Sequence, residues 1–222
     1  MDFEAELRAV PERRYHHLHP FNRRMHAGTL SKEELRGWIL NRFHYQRHIP
    51  IKDALILAKL DRPERRRMWI HRITDHDGGV EGEGGIERWL RLGEAAGLTR
   101  DELWSGEGVV PGVRLAVDGY VNLCRHGTAL EAVAASLTEL FAPDLMRVRI
   151  AAFERHYPWI DPEGLRYFRV RVEQGARDGG QALPLVLSWA RTPDQRRAAL
   201  DALAYKCQVL WTMLDAIEEA CR

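Results

Sequence analysis

Residues 192–219 read TPDQRRAALDALAYKCQVLWTMLDAIEE, and this stretch decides the fold class. Its apolar side chains recur at steps of three and four, at Leu200, Leu203, Cys207, Leu210, Trp211, Leu214 and Ile217. That spacing places them on one face of an α-helix. Thr192 and Gln195 have the spacing of a capping box, and Pro193 suits the first helical position. The pattern therefore predicts a helix over 193–219.

The same start signals recur along the chain, while strand signals are weak. Possible capping boxes are Ser31–Glu34, Asp61–Glu64, Thr99–Glu102 and Thr128–Glu131, and Asp161-Pro162 is similar. With hydrophobic periodicity, they predict helices at about 2–10, 31–60, 63–77, 84–97, 111–125, 128–155, 161–190 and 193–219. Pro50 should kink the second and Pro143 should break the sixth. We therefore predict one all-α domain over residues 1–222, packed as a helical bundle.

Charge composition limits the kinds of partner. The 222 residues include 33 Lys+Arg and 32 Asp+Glu, giving a formal net charge of +1. Attraction of the whole protein to nucleic acid or to an anionic membrane is therefore not expected. Only four of the 33 cations are lysines (Lys32, Lys52, Lys59 and Lys206), and the other 29 are arginines. This excess fits either a high-GC genome or a site that binds carboxylates through bidentate arginine contacts.

Targeting signals and cysteine chemistry point to an intracellular protein. The first 30 residues contain no apolar signal core, and no apolar run is long enough to span a membrane. Cys124, Cys207 and Cys221 are odd in number and lie outside any CxxC pair, so we expect them to be reduced thiols. We predict a cytoplasmic protein.

Several predicted helices carry polar residues where a simple bundle would bury apolar ones. Arg42, Gln46, Ile49 and Asp53 share one helical face, with Lys52 beside it. Similar features are the one-turn pairs Arg72–His76 and Tyr167–Arg171, Glu139 in an apolar stretch, Tyr120 after an apolar run, and Lys206 beside the apolar stripe. Any one of these fits a solvent-exposed face. Together they indicate a cationic pocket inside the bundle, suited to a small polyanion.

Other chemistries have weaker signals. His44 and His48 are four residues apart and form a minor metal-site hypothesis, but the chain has no HExxH and no paired Glu-x-x-His motifs. No local pattern marks a cysteine as an activated nucleophile. The stretch 78–85 (GGVEGEGG) lacks the Lys-Ser/Thr of a phosphate-binding loop, and its glycines predict a mobile loop.

A series of motifs in fixed order gives a more specific indication. They are residues 15–20 (YHHLHP), 37–46 (GWILNRFHYQ), 49–54 (IPIKDA), 75–78 (DHDG), 84–94 (GGIERWLRLGE), 111–114 (PGVR), 136–143 (SLTELFAP), 156–160 (HYPWI) and 167–169 (YFR). In these motifs the chain resembles the pyrroloquinoline-quinone synthase (PqqC) family over nearly its whole length.

The resemblance implies a compact bundle of about seven helices, like heme oxygenase but without heme, and a homodimer. The family's reaction is the final ring closure and O2-dependent oxidation of a reduced quinone precursor, with release of H2O2. The precursor is a small polycarboxylate, O2 is the co-substrate, and no metal or organic cofactor takes part.

The resemblance also implies roles for individual residues. Substrate contacts would be Tyr15, His16, Arg42, Gln46, Lys52, Arg72, Tyr120, Glu139, Arg149 and Lys206. His76 would be the general base, since imidazole titrates near neutral pH. Tyr167 and Arg171 would lie at the oxygen-binding end. From the sequence alone, His76 also fits a helix C-terminal histidine that bonds to carbonyls before Gly78.

Two positions depart from the family pattern. Met146 stands where the family has a histidine of the oxygen-binding group, and Gln181 ends a stretch that reads Asp-Val-Glu-His in the family. Methionine has no proton to donate and accepts hydrogen bonds only weakly. Three alternatives therefore stay open: a PqqC-like oxidase or a metal-dependent oxygenase acting on a different aromatic or amino-acid-derived metabolite, and a protein that binds the precursor without turnover.

Overall fold

The computed structural model describes residues 2–221, and the regular structure of this range is entirely helical. The α-helices are α1 (Phe3–Arg14), α2 (Pro20–Ala27), α3 (Lys32–Gln46), α4 (Ile49–Leu57), α5 (Pro63–Asp77), α6 (Gly84–Ala95), α7 (Arg100–Ser105), α8 (Pro111–His126), α9 (Ala129–Ala135), α10 (Ala142–His156), α11 (Arg166–Trp189) and α12 (Pro193–Ala220). Three 3-10 helices span His16–Leu18, Ser136–Phe141 and Pro162–Leu165. The all-α prediction is confirmed.

The expected number of about seven helices is wrong: residues 2–221 form twelve α-helices, because two of the eight predicted segments are divided and two short helices are added. The segment 31–60 separates into α3 and α4, and Pro50 lies in the first turn of α4. The segment 128–155 separates into α9, the 3-10 helix Ser136–Phe141 and α10, with Pro143 in the first turn of α10. Proline lacks a backbone N–H and is favoured in the first helical turn, and Pro50 and Pro143 each lie where a new helix starts.

The capping signals are mostly confirmed. Ser31, Thr99, Thr128 and Thr192 each form a capping box with the residue three positions on. Asp61 does not cap α5: its carboxylate accepts a hydrogen bond from Arg65 at 2.7 Å, and Arg62 is the N-cap residue.

Two short helices had no predicted counterpart. They are α2, which begins at Pro20 and ends at Gly28 with φ +74°, and α7, which spans only six residues after the Thr99 cap. Both are too short for hydrophobic periodicity to mark them.

Helix α12 packs against α1, α8, α9 and the 3-10 helix Ser136–Phe141. Of its predicted apolar stripe, Leu203, Cys207, Leu210, Leu214 and Ile217 are buried, whereas Leu200 and Trp211 are half-buried. These buried side chains belong to one continuous apolar cluster that runs through the described chain. Burial of this stripe is the main source of the helix's stability.

No helix among residues 2–221 is both long enough and apolar enough to span a membrane.

Gly179 lets α11 approach the 3-10 helix Ser136–Phe141 closely. A Cβ added at Gly179 would lie 2.9 Å from the backbone nitrogen of Leu140, whereas one added at Gly175 would make an ordinary contact, 3.5 Å from the carbonyl oxygen of Glu139. The backbone of one element therefore packs directly on the other. This contact sets the distance between Glu139 and the side chains of α11.

We expect Gly179→Ala to destabilise the protein by about 1–3 kcal/mol, the usual cost of overpacking a tight contact. Gly180→Ala is the matched control, because a Cβ at that exposed helical position meets nothing within 4 Å. Alanine there should stabilise the helix by about 0.5–1 kcal/mol relative to glycine. Urea unfolding of the two variants tests this, and equal effects of the same sign would contradict the packing argument.

Candidate active site

A cavity of about 40 Å³ lies at the centre of the bundle, between α3, α10, α11 and the 3-10 helices. Eight of the predicted site residues line it: Tyr15, His16, Arg42, Gln46, Glu139, Arg149, Tyr167 and Arg171. Helical spacing explains the convergence. Arg42 and Gln46 are one turn apart on α3, and Tyr167 and Arg171 are one turn apart on α11. Both pairs therefore face the same interior space.

The Arg171 guanidinium is paired on two sides. Its Nη2 contacts Glu139 Oε2 at 2.5 Å, and its Nη1 lies 3.5 Å from Asp178 Oδ2. Burial opposes the charged form, but Glu139, Tyr167 and Asp178 outweigh it and raise the pKa of Arg171. Tyr167 donates a hydrogen bond to Gln46 Oε1 at 2.8 Å, which ties α11 to α3. This end of the cavity thus has a fixed positive charge and a fixed phenol.

Arg149 has a different environment. Its side chain is 2% exposed and lies over the rings of Trp38 and Phe168, at 5.0 and 5.6 Å. Within residues 2–221 its one hydrogen bond is a long 3.4 Å contact to Asn22 Oδ1, and its Nε has no partner. Burial, and then the charge of Arg42, lower its pKa to about 9. A buried cation with no carboxylate beside it is costly, and an anionic ligand would relieve that cost.

The phenol of Tyr15 and the imidazole of His16 form another wall of the cavity. Tyr15 donates a 3.4 Å hydrogen bond to the carbonyl oxygen of Thr138, and its ring meets that of His16 edge-on. Burial and the charges of Arg42 and Arg149 lower the pKa of His16 well below its ordinary value. The ring is therefore neutral at physiological pH.

The other five predicted residues lie outside the lining of this cavity. Lys206 lies behind one wall, where its Nζ donates to the Tyr45 hydroxyl at 2.8 Å and sits 3.9 Å from the centre of the Tyr120 ring. Burial, and then the nearby charges of Arg42 and Lys52, lower the pKa of Lys206 well below its usual range. Lys52 pairs with Asp53 at 2.7 Å.

Arg72 and His76 form a buried cluster around Asp178. The Arg72 guanidinium stacks on Trp69 at 3.8 Å and donates to the backbone carbonyl of Asp178. Its Nε lies 3.9 Å from Asp178 Oδ1. Because Asp178 also contacts Arg171, this cluster adjoins the cavity.

His76 has one ring nitrogen satisfied and one free. Its Nδ1 lies 3.0 Å from the carbonyl oxygen of Arg72, so this nitrogen carries the proton and donates. The buried Nε2, which then carries the lone pair, has no partner among the described residues. Burial, and then the charge of Arg171, lower the pKa of His76 to about 3. The helix-end carbonyl contact inferred from the sequence is thus present, and it leaves a neutral imidazole with an available acceptor.

Sequence reasoning missed Tyr45 and Asp178 as site residues. Tyr45 is one turn from Arg42, whose guanidinium lies 4.1 Å from the centre of its ring. Asp178 is seven residues after Arg171, two turns along the same face of α11, and this spacing is a signal that the sequence did contain. Met146, noted as a departure, lines the cavity, whereas Gln181 is not among its lining residues.

The His44–His48 pair lacks further metal ligands. The two rings are 4.5 Å apart, and Arg47 approaches His44 Nδ1 at 3.2 Å. Burial, then His48 and Arg47, lower the pKa of His44 to about 4. Across residues 2–221, no group of three or more His, Cys, Asp or Glu side chains is placed to hold a metal ion.

Comparison with known proteins gives one consistent family. The TENA/THI-4/PQQC family model matches residues 4–216. Pyrroloquinoline-quinone synthase of Cronobacter sakazakii is 49% identical over 219 residues, covering 99% of this chain and 87% of the relative. The bifunctional coenzyme PQQ synthesis protein C/D of Methylorubrum extorquens is 49% identical over 216 residues. That match covers 97% of this chain but only 58% of the longer relative.

Solved structures show the fold. A domain of unknown function with a heme oxygenase-like fold, from Shewanella denitrificans, superposes with a TM-score of 0.77 at 12% identity. The match covers 99% of this chain and 90% of that one. The heme-oxygenase-like expectation is therefore confirmed at the level of the fold.

We expect the buried neutral state of His76 to appear in the pH dependence of stability. An unfolded histidine titrates near pH 6.5 and folded His76 near 3, so between these values the unfolded state binds more protons. Stability should therefore fall as pH decreases below 6.5. His76→Gln should reduce the loss between pH 7.5 and pH 5.0 by up to about 2 kcal/mol.

Urea unfolding at the two pH values measures this difference. His71→Gln, at an exposed position on the same helix, is the control and should leave the wild-type loss unchanged. An unchanged loss in His76→Gln would show that His76 is not held neutral by the fold.

Proposed function

The chain belongs to the TENA/THI-4/PQQC family, and from this premise we propose that it is an oxidase that completes pyrroloquinoline quinone. The reaction is ring closure and O2-dependent oxidation of a reduced, bicyclic quinone precursor. The observation that carries the proposal is the unpaired, buried guanidinium of Arg149 in the central cavity. It supplies the positive charge that a polycarboxylate substrate requires.

The cations around the cavity divide into two groups with different tasks. Arg42 and Arg149 have no carboxylate within 4 Å among the described residues, so they bind substrate carboxylates. Arg171 is held by Glu139 and Asp178, so it stays in place while the substrate changes. A fixed cation of this kind stabilises negative charge that develops during the reaction.

His76 and Tyr167 are the groups that transfer protons. The free Nε2 of His76 accepts a proton as the substrate is oxidised, and Arg72 holds the ring through Nδ1. In each oxidation step the electron-rich substrate passes two electrons to O2, and the two protons that the substrate loses at the same time complete H2O2. Tyr167 and Arg171 lie together at the cavity wall, where they steady the reduced oxygen species.

The proposal includes no metal or organic cofactor. The donors that line the cavity are mainly arginines, tyrosines and a neutral histidine, a set that repels a cation and suits an anion. Full turnover by chelator-treated protein, with no stoichiometric metal in elemental analysis, would support this part. We also propose a cytoplasmic homodimer.

Substrate entry requires the cavity to enlarge. A volume of about 40 Å³ holds a few water molecules, whereas sites for small organic ligands measure about 300–1,000 Å³. Because the Arg72–His76 cluster adjoins the cavity through Asp178, the enlargement must extend toward that cluster. Binding would then bring His76 to the substrate.

Met146 supports a second candidate function. Its thioether lines the cavity with Tyr167 and Arg171, where it cannot donate a proton to reduced oxygen. A related oxidase that acts on another aromatic or amino-acid-derived metabolite, or that stops before full oxidation, would fit this residue.

The decisive experiment mixes purified protein with the reduced precursor under air while absorbance and oxygen are recorded. Full synthase activity predicts the quinone spectrum with uptake of oxygen and release of H2O2, and no reaction without oxygen. Tight binding without oxygen uptake would overturn the oxidase. Oxygen uptake that ends before the quinone appears would favour the second candidate.

We expect three substitutions to separate binding from chemistry. Arg42→Ala should weaken precursor binding about ten- to a hundredfold, the loss of one charge-assisted hydrogen bond. His76→Ala and Arg171→Ala should lower kcat by at least about a hundredfold with a smaller effect on the dissociation constant, because their groups act during the reaction. Anaerobic titration and steady-state kinetics measure both quantities.

Arg67→Ala, on the exposed side of α5, is the control for removing an arginine. An equal loss of affinity in Arg42→Ala, His76→Ala and Arg171→Ala would contradict the assigned roles.

A further inference from the structure

A second, smaller cavity lies between α3, α10 and the C-terminal half of α12. Its volume is about 10 Å³, roughly the space of one water-sized sphere. Most of its wall is apolar and almost fully buried, formed by Trp38, Leu210, Met213, Leu214 and Ile217. Such a wall offers nothing to a carboxylate and suits a small, uncharged, apolar molecule.

On its inner side, this small cavity adjoins the central one. The two share His16, Arg42, Arg149 and Leu210 as lining residues. These four side chains therefore face both spaces. Arg149 is also one turn from Met146 on α10, and Met146 and Tyr167 line the central cavity that the small cavity adjoins.

On its outer side, the small cavity is separated from a surface cleft by Ile217. This cleft has a volume of about 460 Å³ and is lined by residues from α3 and from the end of α12, among them Gly37, Asn41 and Cys221. Ile217 lines both spaces while being only 1% exposed. At Gly37 an added Cβ would find Cys221 Sγ, at 3.9 Å, as its one neighbour, so the cleft is open there.

The lining residues of α12 form one continuous row. Positions 210, 214 and 217 are separated by four and three residues, so they lie on one helical face, with Met213 beside them. Seven residues of α-helix span about 10 Å. A single apolar face therefore runs from the surface cleft to the central cavity.

We propose that this row, Ile217–Leu214–Leu210, is the route by which O2 enters the central cavity. The inference rests on the proposed oxidase function and specifies how its second substrate arrives. O2 is small and apolar and passes along a buried apolar face, which a polycarboxylate precursor cannot do.

The charges at the inner end give the route a direction. Arg42 and Arg149 stand where the apolar row meets the central cavity. Neutral O2 is not held back by them on entry. Once reduced to an anion it is attracted by both guanidinium groups, and the apolar row behind it opposes its return.

Two measurements test the route, and the first needs no turnover. Crystals of the protein pressurised with krypton should show a gas atom between Trp38 and Leu214. Ordered water at that position under krypton pressure would overturn the proposal, because a cavity that retains water is not a site for an apolar gas.

The second measurement is the dependence of turnover on O2 concentration. Ile217→Phe, which enlarges the side chain between cleft and cavity, should lower kcat/KM for O2 about tenfold, equivalent to about 1.4 kcal/mol on the barrier to entry. The anaerobic dissociation constant of the precursor should not change. Leu200→Phe, a comparable enlargement near the other end of α12, should leave both values at wild-type levels.

The two proposals fail in different ways. Wild-type protein that consumes no oxygen with the precursor would overturn the oxidase function. Normal oxygen uptake by the wild type, with unchanged kcat/KM for O2 in folded Ile217→Phe, would overturn the route alone.

Discussion

The ion pairs of Arg171 fix the geometry on which the rest of the site depends. This guanidinium joins Glu139, on the 3-10 helix Ser136–Phe141, to Asp178, two turns further along α11. The pairing is possible because Gly179 lets the two backbones come into direct contact. A buried charge without a partner would be strongly destabilising, so all three groups must fold into place together. Asp178 then extends the same network to Arg72 and the His76 cluster.

Arg149 shows the opposite solution within the same cavity. It has an aromatic cage but no carboxylate partner among residues 2–221, and its pKa is lowered by burial and by Arg42. The fold therefore pairs one arginine with carboxylates and leaves the other without a carboxylate partner among the described residues. This contrast reconciles a net charge of +1 with the proposed binding of a small polyanion in the interior. The positive charge that matters is local and buried, where it is only weakly screened.

The same burial sets the protonation states that the proposed chemistry requires. His16 and His76 are neutral because a dry environment and neighbouring arginines disfavour the imidazolium. A neutral His76 keeps its Nε2 lone pair inside the protein. The core thus contains a paired cation, Arg171, a cation without a carboxylate partner, Arg149, and two neutral imidazoles. The protonation state of each group is set by its burial and by the charges beside it.

The sequence by itself determined most of the helices and indicated eight of the residues that line the central cavity. Periodicity in 192–219, four capping boxes and two prolines are local signals, so they predicted helix type and most boundaries. The short helices α2 and α7 were not predicted, because six to eight residues are too few to show hydrophobic periodicity. The family resemblance marked eight side chains that meet in the cavity, six of them within the quoted motifs.

Only the tertiary structure decided which of these residues are paired, which are free and which lie behind the cavity wall. Asp178 pairs with both Arg171 and Arg72, and Lys206 lies behind Tyr45. Contacts between helices far apart in sequence set these positions. Charge state depends on the same contacts, since burial and neighbouring charges are properties of the packed interior.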